Sequence, residues 1–139
     1  MRRSAILLGL SLACGSAMAE DAGVLAQKAA RACDAEFRKA GLAGLENSVR
    51  QCHARAQKRK TRDAAAYCFM LDFMAADIAL IVEVESGDKT PPAMSFASMN
   101  TRAQRSFDRL GTPENERGKL IAQWSNEAAA AFAKAAGGE

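Results

Sequence analysis

After residue 20, apolar positions recur at intervals of three and four along nearly the whole chain. That is the period of helices burying one face, and no sustained two-residue alternation competes with it. A first helix is expected over residues 22–40, with Leu25, Ala29, Ala32, Cys33 and Phe37 on one side and Gly41 placed to end it. A second runs over 42–59, striped by Leu45, Val49, Cys52 and Ala56. The third, over 62–85, is apolar almost all the way round. Only a narrow edge through Asp72, Ala76, Ala79 and Glu83 reads as solvated, which places this helix in the middle of a bundle.

Residues 86–92 (SGDKTPP) form the clearest loop. A fourth helix follows over 93–110, striped by Phe96, Met99, Ala103, Phe107 and Leu110, with Gly111 as its stop. Thr112-Pro113-Glu114 is a start signal for a fifth: a hydroxyl cap, a proline in the first turn and an acid to match the helix dipole. That helix extends to about Ala136 through Leu120, Ile121, Trp124, Ala128 and Phe132, and residues 137–139 read as a disordered tail. The fold expected is all-α, a compact bundle of four or five antiparallel helices forming one domain over residues 20–136.

Residues 57–63 contain neither glycine nor proline, so they could be a turn or the middle of one long helix. The cysteines bear on this. An unbroken helix would hold Cys52 and Cys68 roughly 24 Å apart at about 1.5 Å per residue, too far to bond. A turn near Lys60-Thr61, with Thr61 as cap, puts the two cysteines equally far from it and level in an antiparallel hairpin. Cys33 and Cys52 stand in nearly the same relation to a turn at about Leu42, so all three sulfurs could share one layer. One disulfide is expected, Cys52–Cys68, with Cys33–Cys52 as the alternative pairing.

The first nineteen residues change the setting. Arg2 and Arg3 precede a nine-residue apolar run (AILLGLSLA), and Ala17-Met18-Ala19 supplies a small-x-small cleavage pattern. Residues 1–19 therefore read as a signal peptide cleaved after Ala19, the apolar run being too short to cross a bilayer. Lipidation at Cys14 is less favoured, because leucine is one place off the usual position. The expected location is periplasmic or secreted, an oxidising compartment that favours a disulfide. Cleavage also removes two arginines, so the formal charge falls from +3 to +1. A near-neutral chain argues against a dedicated nucleic-acid binder. The most apolar later stretch, 64–84, carries Asp72, Asp77 and Glu83 and reads as a buried helix, so no transmembrane segment is expected.

Candidate chemistry is sparse. Arg50, Arg55, Lys58, Arg59, Lys60 and Arg62 cluster with no acid among residues 47–62, an anion or partner patch or a solvated helix end. Asp77 falls on the wheel among Met70, Phe73, Ile81 and Val84, so it is the expected buried acid, paired with Arg102, Arg105 or Arg109. Trp124, Phe132 and the methionines at 70, 74, 94 and 99 could line a groove but have core spacing. His53 is the single histidine. No catalytic, metal or cofactor motif is present. The expectation is an exported helical binding or interaction protein of a bacterial cell envelope, without evident catalysis. It would take a protein or small-ligand partner and could pair as a homodimer. The alternative is a thiol-redox or metal-responsive protein using Cys33, Cys52 and Cys68.

Overall fold

The computed structural model describes residues 20–137; the expected signal peptide lies outside them. Among the described residues there are four α-helices and no strand: α1 (Ala22–Arg59), α2 (Arg62–Ser86), α3 (Phe96–Leu110) and α4 (Glu114–Gly137). A short 3₁₀ turn, Pro92–Met94, leads into α3.

The first helix is two rods. Gly41 breaks it with φ 63° and ψ −154°, a conformation open essentially only to glycine. The limbs, 22–40 and 42–59, fold back on each other. Leu25 and Lys28 share a concavity with Cys52, Ala56 and Arg59, and the Glu20 N–H donates to Asp63 Oδ2 at 2.8 Å. The bend is tight: a Cβ built on Gly44 would sit 2.5 Å from the Ala40 Cβ. Gly41→Ala is therefore expected to lower stability by about 1–3 kcal/mol, read as an earlier midpoint in urea unfolding. An unchanged midpoint would mean the bend tolerates a side chain.

The 57–63 question resolves as a turn. Lys60 is left-handed at φ 50°, and the Thr61 hydroxyl accepts from the Ala64 N–H at 3.2 Å, starting α2. Cys52 and Cys68, level across this turn, form a disulfide with Cα atoms 5.5 Å apart. Their loop stabilises the fold chiefly by constraining the unfolded chain.

Three boundaries differ from expectation, the first being α2, which keeps Ser86 and is capped by Gly87. Residues 92–94 form their own 3₁₀ turn, and α3 starts at Phe96 with the Ser95 hydroxyl accepting from the Ser98 N–H at 3.1 Å. Gly137, expected to open the tail, is the last residue of α4.

The core runs along α2, whose neighbours are α1, α3 and α4. Phe69, Met70, Leu71 and Met74 are buried as the wheel reading expects, but the solvated edge is misplaced. Asp72, Ala76 and Ala79, expected to be solvated, are buried, while Leu80, Ile81 and Val84 are exposed. The reason is steric. Alanines at 65, 66, 75, 76 and 79 let neighbouring helices approach closely, and Leu80, Ile81 and Val84 are left outside. This helix has the length and mean hydropathy (1.9) of a membrane-crossing segment, and 61% of that window is buried against the bundle. Phe107 and Trp124 stack with centroids 5.6 Å apart, and Phe69 packs on Trp124 at 5.7 Å. Met70, Met74, Met94 and Met99 are core residues with them.

Candidate functional site

The buried acid is Asp72, not Asp77. Its carboxylate is 1% exposed and lies where three helices meet. Arg102 of α3 grips it with both arms of the guanidinium, Nε to Oδ2 at 2.7 Å and Nη2 to Oδ1 at 2.8 Å. The same Nη2 donates to the Ala93 carbonyl at 2.7 Å, fixing the 3₁₀ turn. His53, from the second limb of α1, completes the set with Nε2 at 3.0 Å from Oδ2. Both carboxylate oxygens already accept from Arg102, so the histidine joins as donor through Nε2–H. One carboxylate thus ties together α1, α2, α3 and the 3₁₀ turn. A fork-to-fork Arg–carboxylate pair holds orientation as well as charge.

Asp77 is half-buried on α2, with no ion-pair partner among the described residues. Desolvation raises its pKa above the usual carboxylate value. The wheel failed here because α2 is apolar on every side, so periodicity could not say which side meets α3.

Above the Asp72 cluster a groove of about 310 Å³ opens between the second limb of α1 and α3. Two stripes face each other across it. Glu46, Arg50, His53 and Gln57 follow helical spacing on one wall; Arg102, Arg105 and Arg109 follow it on the other. Val49, Ala54, Ala93 and Met94 supply apolar surface between them. Arg102 is committed to Asp72. Arg50 reaches only Asn47 (3.0 Å) and Arg109 only Ser106 (3.3 Å), both neutral, and Arg105 has no ion-pair partner among the described residues. The His53 Nδ1 has no hydrogen-bond partner among the described residues, and no buried side-chain nitrogen or oxygen there is left unpaired. Nδ1 therefore keeps contact with solvent, and the ring lines the groove.

The basic cluster read from residues 50–62 is not one surface. Arg50 belongs to the groove. Arg55 and Arg59 line a separate concavity of about 330 Å³ beside the disulfide, together with Lys28, Glu20 and Asp63. Lys60 sits at the exposed turn, and Lys58 and Arg62 are exposed beside it. Arg50 converges with Arg105 and Arg109, which the sequence offers only as partners for an acid. The spacing of Arg102, Arg105 and Arg109 along one face of α3 was the available signal.

The cysteines do not form one open layer. Cys52 and Cys68 are bonded. Cys33 is 1% exposed and borders a different cleft of about 300 Å³, with Phe37, Ile78 and Phe132. Burial, with the Asp34 charge beside it, pushes its thiol pKa up to about 12. Among the described residues no three histidine, cysteine or carboxylate side chains gather to hold a metal.

The chain matches no known protein family, no curated protein and no solved structure. The groove must therefore be read from its own chemistry. It offers fixed positive charge, apolar surface and a histidine oriented from behind by a carboxylate. Its described lining includes no serine, threonine, cysteine or tyrosine to serve as a nucleophile.

Proposed function

We propose that this chain is an exported helical binding protein of a bacterial cell envelope, and that the groove between the second limb of α1 and α3 is its binding site. The observation that carries this reading is the convergence of Arg50, Arg105 and Arg109 on one concavity without a carboxylate partner among the described residues. Like charges gathered this way repel in the empty protein, and an incoming ligand relieves that repulsion. The volume falls at the lower end for small-molecule sites, and the mixture of apolar wall and a few convergent polar groups is their usual make-up. The Asp72–Arg102 fork holds the walls in place, so the site is organised before anything binds. Export is supported by the leader-like residues 1–19, and the Cys52–Cys68 bond is compatible with an oxidising compartment. The redox alternative is disfavoured by a thiol that is buried and held protonated, since the thiolate is the reactive form.

The test is backbone amide NMR of the mature chain against a small-molecule panel holding neutral, cationic and anionic compounds. Saturable shifts are expected to cluster on Val49, Ala54, Ala93 and Met94. Shifts clustering elsewhere, or none for any compound, would reject the groove as the binding site.

A further inference from the structure

The groove's charge and its acceptors together narrow the ligand; this step rests on the reading of the groove as the binding site. Set against Glu46 and Asp72, the four arginines leave a formal excess of two positive charges with His53 neutral. That matches a dianion better than a single carboxylate. The basic groups are all arginines, whose planar donor forks fit tetrahedral oxyanions, and no lysine lines the groove. Arg105 and Arg109 lie one turn apart on α3 and Arg50 faces them from α1, so they can approach one anionic head from two sides.

The rest of the lining is not simply apolar. With Nε2–H committed to Asp72, the His53 ring, which lines the groove, has Nδ1 as its remaining polar atom, an acceptor in the neutral imidazole. The Glu46 carboxylate and the Gln57 carbonyl add further acceptors on the same wall. Acceptors select hydroxyl donors, and a site built to pair with hydroxyls discriminates against analogues lacking them. Val49, Ala54 and Met94 leave surface for a carbon skeleton of modest size.

We infer that the ligand is a small, soluble phosphate monoester whose organic body carries hydroxyl groups. Arg50, Arg105 and Arg109 bind the phosphate; His53 Nδ1 and Glu46 accept from the hydroxyls.

Isothermal titration of the mature, disulfide-bonded chain with glucose 6-phosphate and glycerol 3-phosphate tests this, against phenyl phosphate, succinate and glucose. At least one hydroxylated ester is expected to bind tenfold or more tighter than phenyl phosphate or succinate, and glucose is expected not to bind. Arg105→Gln and Arg109→Gln are each expected to weaken the ester at least tenfold while leaving the circular dichroism spectrum unchanged and the melting temperature no lower, since neither residue holds an ion pair and each adds to the repulsion in the empty groove. Glu46→Gln, which keeps an acceptor, is expected to bind near normally, and Glu46→Leu to lose the preference over phenyl phosphate. Succinate binding equally well, or binding to phosphatidic acid vesicles in place of the soluble esters, would overturn the ligand assignment and leave the groove standing if the arginine variants still weaken it. Ester binding that ignores both arginine substitutions would overturn the assignment. If the amide shifts also avoid the groove, the site itself falls.

Discussion

Replacing Asp72 by alanine is expected to destabilise the protein by about 3–5 kcal/mol, because removing one partner of a buried ion pair leaves the other charge uncompensated. The carboxylate is 1% exposed, and its Arg102 partner is 21% exposed, held by two of the carboxylate's bonds and the Ala93 carbonyl. The substitution strands the guanidinium between helices and removes the acceptor for His53. A cavity adds to the cost. Urea unfolding followed by circular dichroism gives the measurement. Pairing Asp72→Ala with Arg102→Met is expected to recover part of the loss, since the second change removes the stranded charge. A loss under about 1 kcal/mol for the single variant would mean the cluster is dispensable to the fold.

Asp77 provides the contrast, five residues along the same helix. Its carboxyl pKa is raised by burial, so the folded protein prefers it protonated. That preference contributes stability fully present below the unfolded-state pKa and lost as pH rises through the raised folded value. Asp77→Asn is therefore expected to unfold slightly later than the natural protein at neutral pH. The advantage should vanish in acid, where the natural carboxyl is itself protonated. An asparagine variant that is less stable at neutral pH would mean the charge has a partner after all.

Reducing the Cys52–Cys68 bond should cost about 3 kcal/mol, the chain-entropy value for a loop of about 15 residues. The separation is 16 residues, and the bond spans the one turn without glycine or proline, at Lys60. The check is the urea midpoint with and without dithiothreitol, repeated on Cys52→Ala/Cys68→Ala. Both should fall together, and the double variant should no longer respond to reductant. Cys33→Ala should keep the full response, because that thiol is buried elsewhere. A midpoint indifferent to reductant would mean that the turn and the core hold the hairpin without the bond.

Most of the local structure is legible in the sequence, the 3₁₀ turn at residues 92–94 excepted. Three-and-four spacing identified the helices; Gly41, Gly87 and Gly111 marked the ends of rods; Thr61 announced the start of α2. Distance from a turn along a helix of known rise narrows the disulfide to Cys52 with Cys68 or Cys33, and the fold selects Cys68. What remained hidden depends on rotation about a helix axis. The third predicted helix is apolar on every side, so no stripe declared its buried face. Packing chose the alanine-rich side, because small residues let helices approach, and so Leu80, Ile81 and Val84 stand exposed while Asp72 is sealed. Asp72 is tolerated there only because Arg102 lies across from it, thirty residues away in sequence, and a carboxylate is affordable inside a protein only with such a partner. The groove has the same origin. In sequence Arg50 groups with its basic neighbours up to Arg62, and Arg105 and Arg109 stand as partners for an acid. Helical rise alone separates Arg50 from Arg55 and Arg59 by about a turn or more, but only the docking of α3 on α1 sets Arg50 against Arg105 and Arg109. Periodicity determines which residues share a helix face, and tertiary packing decides which faces meet, because that choice rests on shape and charge between segments distant in the chain.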